Sequence, residues 1–185
     1  MPKNITKLIF ELGQLRRIKH EGMRLAGVEY PESVAEHSLR AAQIGFFLAK
    51  MEKWENPYEV VTIIAFHDMG ECRVGDIHKV ANAYVEADEK GAVKDQLENI
   101  EDGEEIYSLW SQMEDKSTVP GVIAKDADYL EQAFSAKEYV EKGYKRMEDW
   151  MKNVKNHLQT KSAKVLFDEM IKMESTDWWK DLKKI

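Results

Sequence analysis

Val60–Phe66 is an apolar run, interrupted only by Thr62, that ends without a spacer in His67-Asp68. A helix with that much apolar surface must be buried, and it carries the dyad to the edge of the core with it. An imidazole and a carboxylate taken out of water are costly unless something compensates them. Two more carboxylates follow closely, Glu71 and Asp76, with Gly70 and Gly75 loosening the backbone between them. A divalent cation is one such compensation, since imidazole nitrogen and carboxylate oxygen are ordinary ligands for zinc, manganese, iron or cobalt. Taken alone, the window fits a helix C-terminus with a solvated acidic loop equally well. The rest of the chain has to decide.

The 185 residues suit one domain with a sizeable core, and 43% hydrophobic with 33% charged residues is a globular balance. Four prolines and ten glycines are few breaks, and the abundance of Glu, Lys, Leu, Ala and Met favours helices. No stretch is long enough to cross a bilayer, and the N-terminus lacks the apolar core of a signal peptide. The single cysteine, Cys72, excludes an intrachain disulfide, fits a reducing cytoplasm and reads as a small packed hydrophobe. A net charge of −7 without a basic stripe argues against duplex or long single-stranded nucleic acid. A small anion bound through a metal remains compatible with it.

Ile5, Leu8, Ile9, Leu12 and Leu15 recur at helical spacing and predict an amphipathic first helix over 4–17, followed by a loop marked by Gly22, Gly27 and Pro31. Ser33 and Glu36 form a capping box for a second helix over about 34–51. Asn56-Pro57 opens a third, to about Met69. Two helices joined by a short link pack antiparallel, so the start of one lies beside the end of the next. His37 is thereby set opposite His67-Asp68 and reads as a ligand. Further helices are expected at about 88–101, 103–115, 120–142, 144–158 and 162–173, with no strand. The acidic stretch 86–105 reads as a solvated face. The 120–142 helix offers a further oxygen ligand in Asp126 or Asp128, and the apolar arc through Ile123, Ala127, Leu130 and Phe134 lies nearer Asp126. Met147, Trp150, Met151, Phe167, Met170 and Met173 read as core or dimer contacts, and Trp178-Trp179 as packed on the domain or on a second subunit.

Three segments carry a family resemblance: Pro31–Ser38 with its Glu-His-Ser, His67–Cys72 running into Val74-Gly75-Asp76-Ile77, and Lys125-Asp126-Ala127-Asp128. Their order resembles the HD superfamily of metal-dependent phosphohydrolases, and its 5′-deoxynucleotidase branch most closely. The resemblance covers about residues 8–142. It implies an all-α fold: an HD-domain helical bundle of about six core helices, core about 4–142, with a C-terminal helical extension over about 144–185 in the same single domain. It also implies one divalent metal ion per chain (Co, Mn, Zn, Ni, Fe or Mg), held by His37, His67, Asp68 and Asp128. Its register thus prefers Asp128, against the helical wheel. Glu71 matches the family's catalytic acid, and Asp76 a carboxylate on the sugar side.

An Arg and a nearby Trp that members carry after the first helix fall here at His20 and Met23, which leaves Arg16, Arg17 or Arg24 to supply the missing positive charge. His78 is the only histidine between the dyad and the last Asp. That implies one metal rather than two, and His78 joins His20 among the candidate substrate contacts. The implied activity is hydrolysis of (deoxy)nucleoside 5′-monophosphates by a cytoplasmic homodimer that uses neither duplex nucleic acid nor membrane. The alternatives are an HD-type phosphodiesterase or pyrophosphohydrolase acting on another nucleotide, and a non-catalytic nucleotide- or metal-binding dimeric module.

Overall fold

The computed structural model describes residues 1–182, and over these the chain is all α-helical, with no strand beyond a lone antiparallel bridge between Lys19 and Ser33. Helix α1 covers Pro2–Leu12, shorter than the periodicity suggests, and the chain tightens into a 3-10 turn at Gly13–Arg16. Gly13 weakens the helix there, while the tighter turn still delivers Leu15 to the core. The expected loop then contains a short helix, α2 (Glu21–Leu25). The loop is strapped across its base by backbone bonds from His20 N–H to Glu32 O (3.1 Å) and Val34 N–H to Ile18 O (3.0 Å). Gly27, at φ +94°, makes the turn within it that a side chain would resist.

Helix α3 (Val34–Met51) starts on the capping box read from the sequence, with both reciprocal Ser33–Glu36 bonds formed. Helix α4 (Pro57–Phe66) starts at the expected place, although Asn56 makes no side-chain cap bond. It ends before Met69, because from Ile64 onward the backbone bonds tighten to i→i+3. These turns run directly into α5 (Glu71–Val74). The carbonyl of His67 is taken instead by the indole N–H of Trp110, at 2.8 Å. Helices α6 (Lys79–Asn82), α7 (Glu89–Leu97) and α8 (Gly103–Glu114) come next, then the central helix α9 (Val119–Glu141). A 3-10 turn at Lys145–Met147 leads into α10 (Glu148–His157), α11 (Lys161–Lys172) and α12 (Asp177–Lys180).

The core is built on α9, whose Ile123, Ala124, Ala127, Leu130 and Ala133 pack with Ala41 and Leu48 of α3, Val60, Ile63 and Ile64 of α4, and Phe167 and Met170 of α11. Alternating small and large side chains let the helices approach closely. Gly45 is the clearest case. A Cβ there would stand 2.3 Å from Ile64 Cδ1 and 3.2 Å from Val60 Cγ1. That close approach of α3 to α4 brings the start of one beside the end of the other. Met147, Phe167 and Met170 are core, as their spacing suggests, whereas Trp178 is 73% exposed in the single chain. No helix of the described residues is long and apolar enough to cross a membrane.

Candidate metal centre and active site

His37 lies in the first turns of α3 and is 1% exposed, and His67 caps α4 at 3%. Each imidazole is oriented through Nδ1. That of His67 donates to the carbonyl of Ile64 at 2.7 Å, and that of His37 meets the carboxylate of Glu131. Both Nε2 atoms are thereby turned toward one centre, the arrangement by which an outer acceptor fixes the tautomer of a ligating histidine. His37 Nε2 stands 3.2 Å from Asp128 Oδ1 and 3.8 Å from Asp68 Oδ2, and His67 Nε2 stands 2.9 Å from Asp68 Oδ2. Donor atoms of His37, His67 and Asp128 all lie within 4.8 Å of one another, and Asp68 adjoins that group. The short His67–Asp68 approach is not aligned as a hydrogen bond, so His67 Nε2 has no hydrogen-bond partner although it is buried.

Asp126 and Asp128 are both buried, for different reasons. The Asp126 carboxylate accepts the backbone N–H groups of Gln159 and Thr160, at 3.0 and 2.6 Å, and holds the start of α11. Asp128 faces the histidines, and its carboxylate also takes Lys125 Nζ at 2.9 Å and Gln132 Nε2 at 2.9 Å. Burial opposes its ionisation, but Lys125 and then His37 hold its carboxyl well below the usual range. Burial likewise disfavours charge on His37, yet Asp128 and Glu131 raise it well above the ordinary imidazole value.

Glu71 shows the opposite balance. Burial, reinforced by the negative charges of Asp68 and Asp76, pushes its carboxyl up to about 10, and its Oε2 is buried with no hydrogen-bond partner. Asp76 is raised as well, by burial first, and its Oδ2 accepts the N–H of Glu21 at 2.7 Å. Glu89 is pushed up to about 7 by burial, Glu114 and Asp68. The centre therefore gathers carboxylates beyond what Lys125 and the histidines balance. Excess negative charge and an unpartnered imidazole nitrogen together fit a divalent cation.

A polar cavity of about 310 Å³ opens on this cluster, bordered among others by His20, His37, Glu71, Asp76, Lys125 and Asp128. The His20 and His37 rings are 4.4 Å apart. His78 borders a neighbouring cavity, its Nδ1 accepting the N–H of Ala81 at 3.1 Å. Arg16, Arg17 and Arg24 border neither. Their guanidinium groups bond locally, to Gly13 O, Gln14 Oε1 and Glu21 Oε1, and stay exposed. The cation on the cavity wall is Lys125. Met23, at 2% exposure, packs with Val28, Ala136 and Met147.

Reading the sequence for ligands overlooks the group behind them. Glu131, 1% exposed, bridges His37 to Arg40, whose Nε and Nη2 reach its Oε1 at 2.9 and 2.7 Å. Ser135 Oγ donates to the same oxygen at 3.1 Å. A sequence signal for it exists, since Glu131 lies three residues past Asp128 and shares its helix face.

The model of the HD domain matches residues 12–170. A 5′-deoxynucleotidase HDDC2 of Dictyostelium discoideum is 33% identical over 69% of this chain and 73% of its own length. Its namesake in Danio rerio is 30% identical over 75% of this chain and 70% of its own. Among solved structures, a conserved hypothetical protein of Pyrococcus furiosus superposes with a TM-score of 0.78, at 27% identity, over 91% of this chain and 99% of the other. A predicted metal-dependent phosphohydrolase of Magnetospirillum magnetotacticum shares the fold at a TM-score of 0.67 and 19% identity, over 92% and 90% of the two chains.

Proposed function

We propose a function from one premise: the chain belongs to the HD-domain family. It is a metal-dependent phosphomonoesterase that hydrolyses (deoxy)nucleoside 5′-monophosphates to nucleoside and inorganic phosphate. One observation carries this reading most. Glu71 has a buried, unpartnered carboxyl oxygen and borders the cavity that opens on the cluster of His37, His67 and Asp128. A site that only bound metal would have no use for that group. The relatives named 5′-deoxynucleotidase support the choice of substrate.

His37, His67, Asp68 and Asp128 would hold a divalent ion, which would supply Lewis acidity, lowering the pKa of a water and offsetting charge on the phosphoryl group. The chain's own residues do the rest. Lys125, on the cavity wall, favours an anionic substrate. Glu71, which borders the cavity beside the ligand set, is placed to give a proton to the leaving O5′ as the P–O5′ bond breaks and water oxygen bonds to phosphorus, and its carboxylate then regains the proton that the water releases. Asp76, held by the Glu21 N–H, borders the cavity where a sugar hydroxyl can donate to it. In-line positioning and charge stabilisation suffice for this transfer, so no side-chain nucleophile is needed. Cys72 is accordingly left out, and burial first, then Glu11, pushes its thiol up to about 11.

The same proposal places the protein in the cytoplasm as a homodimer. The single cysteine and the exposed Trp178 support this. The test is purified protein, stripped of metal and reloaded with cobalt or manganese, against a nucleotide panel with phosphate release as readout. Release from monophosphates is expected. Cleavage of a phosphodiester or pyrophosphate with no release from any monophosphate would replace this reading with the phosphodiesterase one.

A further inference from the structure

A second cavity, of about 280 Å³, adjoins the polar one, and His20, Asp76, Ile77 and Gln132 border both. The two differ in kind. The metal side is lined almost wholly by polar surface, the second mostly by apolar surface. One wall of the second comes from α10, through Trp150, Asn153, Val154 and His157. Their spacing of i, i+3, i+4 and i+7 sets them on a single helix face. Tyr129, the residue after Asp128, borders it too, with its ring 5.5 Å from that of His157. The indole of Trp150 lies against Gly22, where a Cβ would stand 3.6 Å from its Cζ2.

A nucleotide with its phosphate at the metal ligands has to pass its sugar by Asp76, which borders both cavities, and its base then enters the second one. The rings of Tyr129, Trp150 and His157 with the amides of Gln132 and Asn153 suit a flat heteroaromatic group, and Asp76 and Lys79 are the charged residues that border it. We infer that this α10 face, with Tyr129, is a nucleobase subsite, so that the C-terminal extension completes the substrate cleft. The inference rests on the phosphomonoesterase reading for the position of the phosphate. It also revises the reading of Trp150 as only a core or dimer contact.

The experiment compares deoxyadenosine 5′-monophosphate with 2-deoxyribose 5-phosphate, which lacks the base, on the full chain loaded with cobalt or manganese. The wild type should show a KM at least about tenfold lower for the nucleotide, the contribution of base stacking. Asn153→Trp fills the subsite from an exposed position and should remove most of that gap by raising the nucleotide KM, with kcat little changed. Trp150→Leu should act in the same direction where circular dichroism shows it folded. Equal KM values in the wild type, or a parallel rise for both substrates in Asn153→Trp, would overturn the subsite. If the wild type releases phosphate from neither compound, the phosphatase reading fails separately. Binding of the nucleotide, followed by calorimetry, then decides. Loss of binding in Asn153→Trp supports the subsite, and undiminished binding overturns it.

Discussion

Replacing Glu131 with Gln keeps the shape of the side chain and removes its charge, which isolates what that charge does for His37. In the native protein the carboxylate takes His37 Nδ1, two nitrogens of Arg40 and the hydroxyl of Ser135. Charge-assisted hydrogen bonds exceed neutral ones by about 1 kcal/mol each, so four of them suggest a loss of roughly 4 kcal/mol. Arg40 is 36% exposed and can recover part of this from water, which brings the expected destabilisation to about 2 kcal/mol. The effect on the metal is separate. An amide in place of the carboxylate no longer fixes the His37 tautomer or raises its basicity, and losing such an outer partner weakens metal affinity by about 10–100-fold. Calorimetric titration of metal-free protein with zinc or manganese reads the second quantity, and urea unfolding of the metal-free protein reads the first. A variant that is destabilised as expected but binds metal with unchanged affinity would refute the orienting role and leave Glu131 as an anchor for Arg40.

Glu71→Gln should leave metal affinity near wild type while kcat falls roughly a hundredfold or more, measured as phosphate release; parallel loss of metal would make Glu71 a ligand instead. The Glu32 carboxyl is held at about 2, because burial, which opposes this, is outweighed by His20 and by the Tyr139 hydroxyl at 2.6 Å. A depressed carboxylate stabilises the fold above its unfolded value of 4.5, and the contribution is lost as pH falls toward 2. Glu32→Gln should therefore cost up to about 3 kcal/mol at pH 7 and nothing near pH 2, checked by denaturant unfolding across that range. Gly45→Val drives a side chain into Ile64 and Val60 and should cost roughly 3 kcal/mol, lower Tm and weaken metal binding as α3 and α4 part. An unchanged Tm would count against the close approach.

Local chemistry makes much of this legible. Ser33, Glu36 and Pro57 mark helix starts that depend on neighbouring backbone alone, and those two starts suffice to set His37 opposite His67. The features that stay hidden depend on partners distant in sequence. A helical wheel favours Asp126 over Asp128 because Asp126 lies nearer the apolar arc, and it cannot register that Asp126 is buried to hold the start of α11. Arg16, Arg17 and Arg24 look available for substrate until their local acceptors are seen, and Lys125 stands in the cavity instead of them. Periodicity misplaces the end of α4 for the same reason, since its last turns tighten where Trp110 holds the His67 carbonyl.

That indole contact has a further consequence for how the protein can change. It ties the corner holding the dyad to α8, and the Gln96 amide of α7 adds a second tie through the carbonyl of Met69 at 2.9 Å. Neither tie falls within the stretch from His78 to Asp88, where Tyr84 and Val85 stand out in solvent. A protein engineer can splice a reporter or an affinity tag in at Tyr84-Val85 without loosening either tie, whereas His78, Lys79 and Val80 border the second cavity and have to stay.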